Sequence, residues 1–498
     1  MEEGASLGYL YLLQRYSLKV CQLFSQSFAT RSSTKRSELN GWYVRTYYPV
    51  TRFRFEATWQ SQLTFALKYE GVNLEVLKAF FAVVALDELV AFIQSAPFGT
   101  TQRKVWFLFE FLMGQTLALE SLNTGKYLLL IDDTLQLALP KRKGVRSMRH
   151  RVMNNLIGNQ HFAPYVRKGQ GGQADGLPFE ALQTMCTHVL EDYAPELIYR
   201  ATQYLYLKET KTSFAIEYEA SDLRRTDTFV SMLRSLSGNT ITKQLLLEVQ
   251  NGVVDARYRQ SDWRTEQVYV GETVTPDFER VHFIAPRAQD VPELMEAFLS
   301  CLRQWSQMEE ADPVTLAAVM GFAFVFLHPF DDGNGRVHRF LIHSLLAQRG
   351  FPPNGLICPI SAVMLKKRQQ YDWILETFSS RLMPLLDYKI DAHGAVTVNN
   401  ASIDFYRFID YTPFVNYLSQ VLEETIRTEW TCELEYLRRY DVWRRAMREV
   451  VDLPEKKANL FIRLVQQNKG TLSSRKRDLF EELSDEDIQR LEACLRED

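Results

Sequence analysis

The chain reads as a mainly α-helical protein, and three observations carry that reading. The run Val314 to Leu327 is apolar nearly all round, as in a helix buried on every side. Val291-Pro292 opens an amphipathic stretch through about Gln307, with proline where a helix needs no N–H. From Thr412 the chain is expected to stay helical to its end. Pro454 and Gly470 punctuate that part, and Leu472-Ser473-Ser474 and Leu483-Ser484-Asp485-Glu486 act as helix starts.

Taken in order, residues 1–165 form a mixed, mostly helical region. Within it Leu74 to Ala96 and Arg103 to Leu122 read as amphipathic or buried helices, and Tyr127 to Ile131 as a short strand. Arg167 to Gly176, rich in Gly, Gln and Lys, is the linker. Gln267-Val268-Tyr269-Val270-Gly271 and Arg280-Val281-His282-Phe283-Ile284 alternate as two strands, joined by a loop containing Pro276-Asp277. Asp312-Pro313 caps the buried helix. Pro329 disfavours helical geometry at the residue before it, so that helix ends at His328. A second helix starts near Asn334 to Arg336 and runs to Gly350, with Pro352-Pro353 as a stop. Asp391 to Ser402, with His393-Gly394 and Asn399-Asn400, reads as a turn or loop, and 403–498 as the C-terminal helical region.

Composition bounds the function. A length of 498 residues accommodates roughly two to four units with their own cores. With 46% hydrophobic and 24% charged residues, the chain is not a disordered one. A net charge of −3 gives no general pull toward nucleic acid. The basic run Lys141-Arg142-Lys143-Gly144-Val145-Arg146, with Arg149, His150 and Arg151, is weighed as a solvated or intramolecularly paired surface. Cys21, Cys186, Cys301, Cys358, Cys432 and Cys494 form no CxxC pair, which suits free thiols in a reducing, cytoplasmic setting. Met1-Glu2-Glu3 lacks the basic start of a secretory signal, and the longest apolar run is too short for a membrane span.

The chemistry concentrates in His328-Pro329-Phe330-Asp331-Asp332-Gly333-Asn334-Gly335-Arg336-Val337-His338-Arg339. Gly333 and Gly335 let successive N–H groups turn inward as an anion nest at a helix N-terminus. Those groups, with Asn334, suit the α- and β-phosphates of a nucleotide. Asp332 suits Mg²⁺, which prefers carboxylate and phosphate oxygens. Arg336 and Arg339 lie three apart, so both can face one phosphate tail. His328 has a reference pKa near neutrality and can accept a proton from an attacking hydroxyl.

This segment resembles the Fic family motif HPFx[D/E]GNGRxxR, with every fixed position present. The resemblance implies a Fic-fold helical core over 177–390 with a β-hairpin flap, which binds Mg-ATP and transfers AMP to a Tyr, Ser or Thr hydroxyl of a target protein. It implies His328 as general base, Asp332 as the Mg²⁺ ligand, Gly333, Asn334, Gly335 and Arg336 on phosphates, and Arg339 on the terminal phosphate. Phe330 is then a core anchor. Intact Gly335 favours AMP transfer, because Doc-type kinases of the superfamily carry lysine there. The flap would span 267–284 and hold the target by strand addition, with Val281, His282 and Phe283 as its contacts; its connection is longer than the family's. Tyr371 resembles a family tyrosine near the adenine. The family also implies self-modification and homodimers.

Many Fic proteins carry an inhibitory helix, [S/T]xxxE[G/N], whose glutamate pairs with the second motif arginine. Ser213-Phe214-Ala215-Ile216-Glu217 matches it within 212–218, upstream of the core, with Tyr218 in place of glycine or asparagine. The rival Ala66-Leu67-Lys68-Tyr69-Glu70-Gly71 keeps the glycine but lacks the hydroxyl residue, so Glu217 is preferred. The alternatives are transfer of another nucleotide or phosphate group, removal of AMP, and a non-enzymatic binding module.

Overall fold

The apolar run forms the helix Pro313–Leu327, and its surroundings explain its composition. In the computed structural model, only Thr315 and Val325 of that helix escape full burial. The structure describes every residue except 1–3, 22, 24, 41–42, 169–176, 220–221, 237–239, 276–277, 392–393 and 496–498. The helix packs against Val291–Ser306, Asn334–Ala347 and Thr412–Glu424, so neighbours cover all its sides. Asp312 accepts the Thr315 N–H at 2.6 Å and caps it, with Pro313 in the first position as expected.

One large apolar core gathers the helices from Phe179 to Leu437 and also takes in Leu139, Ile157, Phe162 and Val166 from upstream. A second core runs from Tyr9 to Leu156, and a third from Trp443 to Leu491. The first two meet along a backbone seam. Ala163 and Tyr165 donate to the carbonyls of Arg407 and Ile409 at 2.9 and 3.0 Å, and Tyr411 donates back to Tyr165 at 2.8 Å. Among the described residues no helix is long and apolar enough to cross a membrane. The six cysteines are free, with Cys21, Cys186, Cys301 and Cys358 buried.

Several local expectations are revised. The upstream region holds a four-stranded sheet absent from the sequence reading: Ser6–Leu7, Ser25–Thr30, Tyr43–Pro49 and Arg36–Asn40 in spatial order, the second and third parallel. Leu74 to Ala96 divides into the helices Leu74–Phe81 and Leu86–Ser95. The next helix, Thr100–Met113, stops at Gly114 with φ 65°, short of Leu122. Asp391 to Ser402 contains the second strand of a hairpin, Tyr388–Ile390 against Val396–Val398. His393, Met1 to Glu3, the stretch 169–176 of the linker and Pro276-Asp277 lie outside the described residues. The basic run is partly consumed internally. Arg149 grips Glu110 and stacks over Trp106 at 4.8 Å, while Arg142 pairs with Glu310.

Replacing Asp312 by alanine strips the cap from the central helix. We expect Asp312→Ala to lower unfolding stability by about 1 kcal/mol in urea titration, the usual worth of such a cap.

Candidate active site

His328 ends the buried helix in a left-handed conformation, φ 47° and ψ 58°, donating its N–H to Phe324 at 2.9 Å. Its ring Nδ1 lies 3.1 Å from the Val325 carbonyl. A carbonyl can only accept, so Nδ1 carries the proton and Nε2 keeps its lone pair, the form a general base requires. Burial, then the nearby Arg264 cation, lowers the His328 pKa to about 4, against smaller opposing effects of Val325, Glu217 and Asp332. The imidazole is therefore neutral at physiological pH. Phe330 is fully buried between Trp263 and Phe324, at 5.4 and 6.0 Å, and anchors the loop as expected.

The loop after it builds the anion cradle. Gly333 takes φ 90°, and a Cβ there would meet Val254 at 2.9 Å, so the position needs glycine twice over. Asn334 departs from its expected role at the side chain. Its carboxamide accepts from Phe330 N at 3.0 Å and donates to Phe330 O at 2.7 Å, closing the loop on itself and leaving only its backbone at the helix start. Asp332 accepts the Gly333 N–H and Arg336 Nη2 on one oxygen, Oδ1, at 2.6 and 2.8 Å. That leaves Oδ2 as the oxygen able to ligate a cation. Among the described residues no cluster of three His, Cys, Asp or Glu side chains could hold a metal by itself. A lone carboxylate next to a phosphate cradle fits Mg²⁺ that arrives with a nucleotide.

The two arginines do different work. Arg336, 1% exposed, reaches Glu219, the Val253 carbonyl and Asp332, so it orients the carboxylate. Its Nε is buried without an acceptor among the described residues, a donor open to an anion. Arg339 is fully buried on the other side of the helix turn. Its Nε donates to Ser213 Oγ at 2.7 Å, and its Nη2 donates to Ser213 O and Glu217 Oε1 at 2.8 and 2.7 Å.

Glu217 thus reaches the second motif arginine, at the end of the helix Pro195–Ile216. A Cβ on Gly335 would fall 2.1 Å from Glu217 Oε1, so the carboxylate lies directly on the glycine of the cradle. Burial raises the Glu217 pKa, but Arg339, then Arg336 and Arg368, outweigh it and hold the carboxyl below its usual range. Tyr218 occupies φ 57°, the left-handed region that glycine and asparagine tolerate best, a cost that its stack on Arg368 at 4.6 Å offsets in part. Arg368 also donates to the Ile216 carbonyl at 2.6 Å. Glu70 lies elsewhere, buried in the upstream unit and bonded to Tyr9 N and Ser27 Oγ.

Above His328 stands the hairpin Tyr269–Thr275 and Phe278–Ile284. Its strands run on through what the sequence suggested was a long connection. The register passes from Val270 opposite Phe283 to Gly271 opposite Val281, so His282 is the extra residue of a bulge. The bulge splits the three expected flap contacts. Phe283 packs against Phe326 at 5.9 Å and, with His282, lines a pocket of about 370 Å³, while Val281 stays in the ladder. That pocket is shared by His328, Tyr218, Glu272, Arg368 and Phe326. Tyr371 is buried behind Arg339, its ring 6.3 Å from that of Tyr417, rather than on this wall. Sequence reasoning missed Arg264, Glu219 and Arg368, which carry no pattern and become meaningful only once distant segments meet.

Comparison with known proteins adds to this geometry. Residues 240–346 match the model of the Fic/DOC family. A protein adenylyltransferase Fic from Drosophila mojavensis is 36% identical over 95 residues, 18% of this chain and 16% of that protein. One of the same name from Aedes aegypti is 30% identical over 160 residues, 30% of this chain and 27% of that protein. The chain therefore spans well under a third of the length of these relatives. A Fic domain containing signaling protein from Bacteroides thetaiotaomicron aligns at 18% identity over 51% of this chain and 96% of its own, with a TM-score of 0.37.

The depressed His328 pKa sets an acid limit. The neutral ring persists until pH falls to about 4, so the acid limb of any His328-dependent rate should lie near pH 4 rather than near 6.5. A pH–rate profile with its acid limb at 6 or above would contradict this.

Proposed function

We propose that this chain, which carries a Fic-family domain over residues 240–346, is a protein adenylyltransferase that moves AMP from Mg-ATP to a hydroxyl side chain of a target protein. The observation that carries the reading is the neutral His328, its Nε2 free, on the wall of a pocket roofed by the flap hairpin and placed beside the glycine cradle. The names of the relatives, protein adenylyltransferase Fic, support the same reaction class.

In this reading a target hydroxyl enters the pocket under the flap, and His328 Nε2 takes its proton as the oxygen attacks the α-phosphorus. The bond to the β-phosphate oxygen breaks and pyrophosphate leaves. The backbone N–H groups at Gly333 to Gly335 and the Nε of Arg336 hold the phosphate oxygens. Asp332, oriented by Arg336, would hold Mg²⁺, which when bound would supply charge neutralisation for the phosphates. Glu217 on Gly335 and Arg339 takes the place of the terminal phosphate, so the docked segment is a brake. The cysteine usage and the family likeness favour a protein substrate in a cytoplasmic setting, with self-modification and a homodimer among the arrangements the family uses.

Full-length protein with Mg²⁺ and α-labelled or γ-labelled ATP tests the proposal. Glu217→Gly removes a charge-assisted bond of about 2 kcal/mol, so labelling from the α position should rise about 30-fold. His328→Ala in that background should lose about 100-fold or more of the rate while ATP binding, read by calorimetry, stays intact. Label from the γ position would make the protein a kinase, and no label from either would leave a binding module.

A further inference from the structure

One buried cation beside the pocket remains to be explained. Arg264 is 2% exposed and forms no ion pair among the described residues, an expensive arrangement for a charge. Each of its three nitrogens nevertheless donates to a backbone carbonyl. Its Nε donates to the His328 carbonyl at 2.8 Å, Nη1 to the Glu266 carbonyl at 2.7 Å, and Nη2 to the Pro286 carbonyl. Its own N–H donates to the Pro329 carbonyl at 2.8 Å. Glu266 and Pro286 bracket the flap, lying just outside Tyr269 and Ile284.

We infer that Arg264 is a positioning residue, one planar fork that fixes the left-handed His328 turn and both roots of the flap in a single frame. The inference rests on the adenylyltransferase reading, in which the flap presents the acceptor and His328 takes its proton. The two must keep a fixed relation although they come from separate elements, and the Arg264 side chain reaches carbonyls of all three segments. Arginine suits the task because its donors diverge in a plane toward three acceptors, whereas lysine offers one compact centre. Asp331 faces the cation without pairing with it among the described residues, which leaves the donors to the carbonyls. The fixed cation also opposes a second proton on the imidazole. The other charged groups facing His328 are Glu217 on the inhibitory segment, Asp332 on the loop, Glu272 and His282 on the flap, and Arg368, Asp372 and Glu376 on the helix Arg368–Leu382.

Arg264→Lys and Arg264→Gln, each made in full-length Glu217→Gly protein, separate geometry from charge. Both should lower kcat for AMP transfer about 100-fold with KM for ATP nearly unchanged, as expected when the reacting groups are misplaced by about 1 Å. Arg264→Gln should also move the acid limb of the pH–rate profile upward by about one unit, whereas Arg264→Lys, keeping the charge, should not. Parental kcat per folded molecule in either variant, with folding checked by circular dichroism, overturns the inference. So does a loss of activity that only tracks the folded fraction. If the Glu217→Gly parent transfers no label, the functional reading fails instead. Hydrogen exchange on the unreacted chain then decides: the amides of His328 and Ala285 should exchange faster in both variants, and unchanged rates overturn the frame.

Discussion

A guanidinium sealed among helices must be given acceptors, and Arg339 finds three of them at the end of one neighbouring helix, with the Tyr371 hydroxyl beside it. Two come from Ser213 and one from Glu217, so the motif helix Asn334–Ala347 and the helix Pro195–Ile216 are bound to each other by a charge that neither can leave unmet. A second tie lies two turns back on the same helix. Glu209, fully buried, accepts from Ser361 N at 2.9 Å and faces His343 at 3.0 Å. Burial raises the Glu209 pKa, but His343 and Ser361 outweigh it and keep the carboxyl below its usual range. The docking of the inhibitory-type segment is thus fixed at two levels, one inside the core and one at the cradle.

Around that pair the charged residues of the motif divide their labour. Arg336 looks toward Asp332, Glu219 and the Val253 carbonyl, while Arg339 looks toward the docked helix. The three-residue spacing suggested that both would face one ligand. The helix delivers them to neighbouring sides of it, because a spacing of three is an offset of about 60° short of a full turn. Asn334, placed between the glycines as a phosphate contact, instead holds the loop in shape with both ends of its carboxamide.

Legibility in the sequence followed the range of the interaction. The cap at Asp312, the helix end before Pro329 and the turn at Gly333 are decided within four residues, and each stands where local chemistry put it. Glu217 was separable from Glu70 because a hydroxyl four residues earlier is itself part of the contact with Arg339. The upstream sheet was missed because Ser25–Thr30 carries little alternation and is stabilised by a parallel partner in Tyr43–Pro49. Arg264 was missed because a lone arginine before a strand has no signature, and its side chain's acceptors lie up to 64 residues away. The bulge at His282 depends on cross-strand register, which no single strand encodes.

The left-handed Tyr218 has a consequence for populations. Holding a tyrosine at φ 57° raises the docked conformer by about 1 kcal/mol over an ordinary backbone. The stack on Arg368 returns only part of that. Relative to an unstrained turn, that cost favours an undocked segment by up to about fivefold. One backbone angle thus weights the balance between docked and undocked segment, independently of any ligand.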